Sequence, residues 1–404
     1  KEKNTLRQTI FIAFCALSEA KGMDIKMKVL YLHIGTAKTG TTAIQEFCRN
    51  NHKLLEEQGF CYPKAVHVLY KPESRNAHFL VCKKEPDKRN EIFKEGMDKV
   101  RELFEIYDNI ILSDETIWWA SSYLIPDLFE KIKAEAGEGN FTVKVVAYLR
   151  RQDSFVGSHW NQQVKKDGVT RTCEEHLKFM MNERPLMLDY YQKIEEIAAC
   201  FGRENILIRR FEPGKFEGGS IYTDFAKTIG MAWRDDFQLP EKMVNERLKG
   251  NTHEIKRVLN GIPGLEIEEK RFFEHVLIDC SKDIVEKEKY AMFSPEEVRS
   301  ILDKYHDGNE KITQQYLKDG KELFDDTVEE LPKWEKENQE MYDDILHFVT
   351  RSMAEMRREM YREMRSEMYR EIRRENEACH KEINELKEKI KHPIRTAYKR
   401  VVKK

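Results

Sequence analysis

The chain has 404 residues, enough for one α/β domain with an appended helical segment, and length alone does not set the number of domains. Its 70 basic and 72 acidic residues give a net charge of −2, which excludes a generally cationic surface and predicts no nucleic-acid partner. The eight cysteines are scattered without a Cys-x-x-Cys pair or zinc-type spacing, which predicts free thiols in a reducing, cytoplasmic compartment.

Residues 1–27 precede the first clear structural pattern. The run from Thr9 to Leu17 follows a basic start and slightly resembles the apolar part of a signal peptide. No run approaches the roughly 20 apolar residues needed to span a bilayer. We expect a disordered extension or an overlong gene model, because Met23 and Met27 can both serve as starts.

A strand, a tight glycine-rich turn and a helix follow one another directly after this segment. Residues 28–34 form an apolar run of strand length that ends at Gly35, which is typical of a buried parallel strand. Beyond the turn, Ala43, Ile44, Phe47 and Cys48 have helical spacing. This order predicts a phosphate-binding loop over residues 35–42.

The loop differs from that of a nucleotide hydrolase in the position of its lysine. Residues 35–42 keep both glycines and the final hydroxyl of the Gly-x-x-x-x-Gly-Lys-Ser/Thr pattern, but Thr41 replaces the lysine. The lysine lies inside the loop, as Lys38, where it can reach an oxygen that bridges a phosphate and a transferred group. Such a loop can hold a phosphosulfate without a metal, whereas a nucleoside triphosphate with Mg²⁺ calls for the usual lysine.

Further apolar runs predict the rest of a sheet. Residues 109–113, 142–149 and 205–208 have strand length and alternate with helical patterns, so we expect a doubly wound parallel sheet flanked by helices. Asp114 and Glu115 directly follow one of these strands. A carboxylate at this position lies at the carboxyl edge of the sheet, where ligands bind, and is therefore a candidate site residue. The alternative is an acid that is solvated or that only stabilises the N-terminus of the following helix.

The C-terminal segment predicts a long helix rich in Met, Glu and Arg. From Met356 to Ile372 an apolar residue recurs every fourth position, and each step overshoots a full turn by roughly 40°, so this stripe winds around the helix. Residues 379, 383, 386 and 390 return to the alternating spacing of a short coiled coil. Self-association through this helix and a solvated single helix both remain open.

The last residues, 391–404, are basic and contain no acid. Pro393 can begin a short amphipathic helix, which predicts peripheral contact with an anionic membrane surface on the cytoplasmic face, and a frayed solubilising tail is the alternative. We therefore divide the chain into residues 1–27, a catalytic domain over 28–335, a long charged helix over 336–390 and this tail.

The loop resembles that of sulfotransferases that use 3′-phosphoadenosine 5′-phosphosulfate (PAPS), whose 5′-phosphosulfate loop carries Lys-[Ser/Thr]-Gly-Thr-Thr. The matching residues here are Lys38, Thr39, Gly40, Thr41 and Thr42, preceded by Gly35. The resemblance covers about residues 28–318 and is greatest to the bacterial branch that sulfates glycans and other small acceptors. It implies PAPS as co-substrate, adenosine 3′,5′-bisphosphate as product, and no required metal.

The resemblance also implies how the 3′-phosphate is bound. Family members use an arginine at the end of a central strand and a serine eight residues on, which are Arg150 and Ser158 here. A guanidinium group can donate two parallel hydrogen bonds to a phosphate. Family members often have Asn-Pro after the arginine, whereas this chain has Arg151 and Gln152, so Arg150 and Arg151 could exchange roles.

Two residues are candidates for the base that removes the acceptor proton. Sulfotransferases acting on sugars commonly use a glutamate, and Glu115 is the best match, while the family's small-molecule enzymes place a histidine where this chain has His78. Lys38 is the predicted cation beside the leaving oxygen. The expected acceptor is a saccharide hydroxyl, with a sterol or phenol next. A P-loop kinase or NTPase and a non-catalytic scaffold are the other interpretations.

Overall fold

The computed structural model describes residues 27–64, 75–240, 248–283, 290–317 and 319–401, with side chains up to residue 388. The expected N-terminal extension and the side chains of the basic tail lie outside these residues. The described chain divides into two compact units. The first comprises the described residues within 27–240 and 290–334, and the second comprises those within 248–283 and 335–401.

The first unit is built on a five-stranded sheet in which every pairing is parallel, in the order β2-β3-β1-β4-β5. The strands are β1 (Val29–His33), β2 (Phe60–Cys61), β3 (Asn109–Ser113), β4 (Thr142–Leu149) and β5 (Ile206–Arg210). Since β1 lies between β3 and β4, the chain passes from one side of β1 to the other, and this reversal is where open α/β sheets bind ligands. The predicted doubly wound parallel sheet is confirmed.

Alternating side chains of the strands build a separate core on each face of the sheet. On β1, Leu30 and Leu32 belong to one cluster, whereas Val29 and Tyr31 belong to the other. Both faces are therefore covered by helices, as the continuous apolar runs predict. The helices of this unit are α1 (Thr41–Asn50), α2 (His52–Glu56), α3 (Pro86–Leu103), α4 (Thr116–Tyr123), α5 (Leu128–Gly139), α6 (Gln152–Lys166), α7 (Cys173–Glu183), α8 (Tyr190–Phe201), α9 (Ile221–Thr228) and α12 (Pro295–Ile312).

The second unit contains α10 (Thr252–Asn260), α11 (Ile267–Asp283) and α13 (Met341–Val401). Its small core includes Val276, Leu277 and Phe348, and Phe273 packs edge-on against Phe348. The predicted long C-terminal helix is confirmed, whereas the pairing of residues 248–283 with it was not predicted. The backbone of α13 continues through Pro393, where the sequence predicts the start of a separate helix.

None of the helices within the described residues is long and apolar enough to cross a bilayer.

Candidate functional site

The loop over residues 35–42 joins β1 to α1 at the carboxyl edge of the sheet. Backbone conformation is unusual at three of its positions, because Gly35, Lys38 and Gly40 have φ angles of 80°, 65° and 73°. Lysine in this left-handed region costs about 1–2 kcal/mol, and strain of this kind is concentrated at functional sites. At Gly40, a Cβ atom would lie 2.4 Å from Cδ1 of Ile221, so a larger residue would also displace the end of this side chain.

Hydrogen bonds to buried carbonyl groups fix the loop from beneath. The Thr36 amide donates to the Tyr148 carbonyl at 2.8 Å, which joins the loop to β4. The hydroxyls of Thr39 and Thr41 point inward to the Thr36 carbonyl, at 2.5 and 3.5 Å. Both threonines are buried, whereas Thr42 is exposed. These hydroxyls therefore hold the turn in shape.

Helix α1 begins at the end of this loop and keeps its amino end open. Gly40 is the N-cap residue, and no side chain caps the first turn. The first amide groups of a helix have no intrahelical acceptor, and the helix dipole places a partial positive charge beside them. This end of α1 can therefore bind an anionic oxygen.

Arg150 and Arg151 follow β4 directly, and their side chains have different surroundings. The Nη1 atom of Arg150 donates to the Lys38 carbonyl at 3.3 Å, and its guanidinium lies 5.8 Å from the centre of the Phe211 ring. Arg151 instead forms two hydrogen bonds with the Asp153 carboxylate, at 2.8 and 2.9 Å. Arg150 is therefore the arginine that lies against the loop.

Helix α6 carries Ser158, which is half-buried, and two further residues relevant to the loop. The Lys38 ammonium donates to Oε1 of Gln162 at 3.5 Å, one helical turn beyond Ser158. His159 lies 3.0 Å from His176, measured from Nδ1 to Nε2. Burial, together with the charges of Lys38 and Arg171, lowers the pKa of His159 to about 4, so this imidazole is neutral near pH 7.

Glu115 lies directly against the start of the loop. A Cβ atom at Gly35 would be only 3.0 Å from Cβ of Glu115. The side-chain amide of Gln45, on α1, donates to Oε2 of Glu115 at 3.3 Å and to the Ser113 hydroxyl at 3.2 Å. The Glu115 side chain is 26% exposed, and its Oε1 atom lies 3.9 Å from Nε of Arg75, so it is both oriented and accessible.

Asp114 has a different environment from its neighbour because it is completely buried. Its Oδ2 atom lies 3.1 Å from Nδ1 of His78, and Oδ1 accepts from Arg75 at 2.5 Å and from the Thr116 amide at 2.7 Å. Burial raises the pKa of Asp114, but the hydrogen bond from His78 and the charge of Arg75 outweigh it and leave the pKa below its usual value. Asp114 therefore stays ionised and positions both partners.

His78 reaches the sheet edge because Asn76 ties its segment to β3. The buried Asn76 side chain donates to the Ile111 carbonyl at 2.9 Å and accepts from the Ser113 amide at 2.7 Å. The structure thus brings His78, Asp114 and Glu115 to the same edge as the loop.

The sequence predicts neither Gln45 nor Gln162 as a site residue, and it assigns no role to Asp114 beyond that of a possible acid. Helical spacing could have indicated both glutamines. Gln45 follows Thr41 by four residues and Gln162 follows Ser158 by four, which places each glutamine on the same helix face as a predicted site residue. Trp118, on α4, is buried in the core against Tyr190 and is not available as a stacking surface for a ligand.

The chain has limited similarity to known proteins, both in sequence and in structure. No protein-family profile matches the chain. An uncharacterized protein from Archaeoglobus fulgidus is 24% identical over an alignment of 224 residues, which covers 52% of this chain and 58% of that protein. The chain thus matches less than two thirds of the length of this relative.

Two solved structures are similar in part. A sulfotransferase from Alicyclobacillus acidocaldarius is 14% identical with a TM-score of 0.33, covering 61% of this chain and 95% of that chain. The sulfotransferase domain from the curacin biosynthetic pathway is 13% identical with a TM-score of 0.34, covering 69% and 98%. The function proposed for this chain therefore rests on the residues of its own site.

Proposed function

We propose that this chain is a sulfotransferase that moves the sulfuryl group of PAPS to an acceptor hydroxyl. One observation carries the proposal: the guanidinium of Arg150 donates to the backbone carbonyl of Lys38, so this cationic side chain lies at the loop that carries Lys38. The donor carries two separate phosphate groups on one nucleoside. The loop and the open end of α1 would hold its 5′-phosphosulfate, and Arg150 with Ser158 would hold the 3′-phosphate.

The reaction needs a cation at the leaving oxygen and a base at the attacking one. As the acceptor oxygen bonds to sulfur, the bond from sulfur to the bridging oxygen breaks, and adenosine 3′,5′-bisphosphate leaves with the electron pair. Lys38 stabilises the charge that develops on that oxygen. A base beside the attacking oxygen accepts the proton of the acceptor hydroxyl.

We propose Glu115 as this base. Its side chain is partly exposed beside Gly35, Gln45 donates a hydrogen bond to Oε2, and Nε of Arg75 lies 3.9 Å from Oε1. His78 is more enclosed, with 12% of its side chain exposed, and is held by Asp114. His78 would then orient the acceptor, and it is the alternative base.

The acceptor that we propose is a saccharide. A glutamate base suits an alcohol hydroxyl, because the proton of such a weakly acidic group leaves late, as the new bond forms. The exposed position of Glu115 also suits a polar acceptor better than a buried sterol.

Turnover with labelled donor tests the proposal and assigns the base. The purified chain is incubated with ³⁵S-labelled PAPS and a panel of glycans, sterols and phenols, and labelled product is counted. We expect transfer to a glycan, and we expect E115Q to lower kcat by about 100-fold or more while donor affinity stays within about threefold. H78Q is the matched variant, and we expect it to change KM more than kcat.

Three outcomes would contradict parts of this proposal. If no acceptor class is labelled and the donor does not bind, the chain is not a sulfotransferase. If H78Q abolishes turnover and E115Q does not, His78 is the base. If only sterols or phenols are labelled, the saccharide assignment is wrong.

A further inference from the structure

The C-terminal part of α13 is a helix whose side chains lie in solvent. From Met356 to Glu388, every side chain except that of Ser366 is exposed. Large apolar groups are among them, with exposed fractions of 62% at Tyr369, 45% at Ile372, 42% at Ile383 and 56% at Leu386. Exposed apolar groups arranged along one line of a helix mark a surface that another protein covers.

These residues follow the spacing of a two-stranded coiled coil. Positions 369, 372, 376, 379, 383 and 386 are separated alternately by three and four residues, which is the a/d pattern of a heptad repeat. In this frame Tyr369, Asn376 and Ile383 occupy a, while Ile372, Cys379 and Leu386 occupy d. We refer to these six residues as the seam. Upstream of Tyr369, the four-residue steps carry the methionine stripe away from this face.

The charges beside the seam differ in sign on its two sides. The g positions hold Glu375 and Glu382, and the e positions hold Arg373, His380 and Lys387. In a parallel pair of helices, each g residue faces the e residue five positions further along the partner, so that Glu382 meets Lys387. In an antiparallel pair, g faces g and e faces e, which places like charges together.

We propose that the seam binds the seam of a second copy of this chain, in parallel and in register. The acidic side of each helix then lies against the basic side of the other. Arg373 donates to Glu377 on its own helix at 3.0 Å, a contact on the outer side that pairing leaves intact.

Asn376 supports both the parallel register and the number of strands. In register, the two Asn376 side chains face each other and can share a hydrogen bond inside an otherwise apolar seam. A shift by one heptad would place each amide against Tyr369 or Ile383 and leave polar groups unsatisfied, at a cost of about 1–3 kcal/mol per group. A single Asn at an a position is known to favour two strands.

Cys379 provides a direct readout of this geometry. It is exposed and occupies a d position, so the two thiols of a parallel, in-register pair lie opposite each other. Diamide oxidation of the full-length chain should give a disulfide-linked dimer that C379S cannot form. C15S is the control variant, and it should still form the dimer.

Sedimentation equilibrium of the full-length chain tests the partner and its orientation. We expect a dimer that L386E converts to monomer. E382K should weaken the dimer by about tenfold or more, since it places Lys against Lys387, and the double variant E382K/K387E should restore it. E385K makes the same charge change at an outer c position and should leave the dissociation constant within about twofold.

Each alternative gives a distinct result. A monomer at all concentrations overturns the proposal and leaves a solvated helix or a different protein partner. A tighter dimer for E382K indicates antiparallel pairing, because the new lysine would then face Glu375. A dimer that survives L386E forms through another surface. Far-ultraviolet circular dichroism of each variant confirms that the helix is retained.

Discussion

Replacing Arg150 or Arg151 with alanine should separate donor binding from stability. Arg151 donates to the Asp153 carboxylate and also to the carbonyl groups of Asp325, at 2.9 Å, and Thr327, at 2.7 Å. Its removal leaves the buried Asp153 carboxylate and two carbonyls without these donors. The expected loss is about 2–3 kcal/mol of unfolding free energy, since hydrogen bonds to charged groups are each worth about 1.5–3 kcal/mol but are not additive.

Arg150 lies against the loop, and we expect its side chain to matter for donor binding. Its long hydrogen bond to the Lys38 carbonyl and its contact with the Phe211 ring contribute about 1 kcal/mol together. Loss of a guanidinium that binds a phosphate costs about 2–4 kcal/mol of affinity, which is roughly 30- to 1000-fold in dissociation constant.

Thermal unfolding and calorimetric titration with adenosine 3′,5′-bisphosphate measure the two effects separately. R151A should lower the melting temperature by about 5–10 °C and leave the nucleotide affinity unchanged. R150A should lower the nucleotide affinity and leave the melting temperature nearly unchanged. If R151A loses the nucleotide while R150A binds it normally, the two arginines have the opposite roles and the reasoning is refuted.

Two further perturbations test the loop and the buried histidines. G40A should lower nucleotide affinity and cost about 1–2 kcal/mol of unfolding free energy, because its φ angle is 73° and Ile221 occupies the space for a Cβ, whereas G137A, where the space is open, should be neutral or stabilising. Burial lowers the pKa values of His33 and His176 to about 3, so the folded chain keeps both neutral while the unfolded chain protonates them below about pH 6.5. The free energy of unfolding should therefore fall as the pH is lowered from 6.5 to 4, by up to about 1.4 kcal/mol per pH unit for each histidine. Urea titrations at pH 7.5 and pH 5 should show a smaller fall for H33N than for the parent chain. Equal stability of the parent chain at these two pH values would contradict the neutral state of the buried histidines.

The sheet could be predicted from sequence because its central strands are continuous apolar runs. The predicted runs at 109–113 and 142–149 coincide with β3 and β4, and the run at 205–208 overlaps β5. Strand β2 has only two residues, Phe60 and Cys61, too few to give a periodic signal. Strand order is set by contacts between distant segments, which local spacing does not encode.

The candidate site could be predicted only where its residues belong to a local motif. The loop is contiguous, and Glu115 follows a strand directly. Sequence leaves the choice between Arg150 and Arg151 open because adjacent side chains point in different directions at a strand end. Two of the Arg151 partners also come from a segment about 175 residues away. The link from Gln45 to Glu115 likewise depends on tertiary packing across 70 residues.

Burial also decides chemistry that composition cannot show. Asp114 and Glu115 are adjacent acids near Arg75, yet Asp114 is completely buried against His78 whereas Glu115 is partly exposed. A sequence pattern cannot show this difference in burial, because it depends on residues from separate segments of the chain.

Calorimetric titration of adenosine 3′,5′-bisphosphate into the full-length chain and its K38E variant tests the central claim most directly. The account predicts binding to the parent chain without added metal, a preference over ATP with Mg²⁺, and an affinity loss of about 100-fold or more in K38E, because the variant places a carboxylate inside the anion-binding loop. Unchanged nucleotide affinity in K38E, or binding of ATP with Mg²⁺ alone, would contradict it.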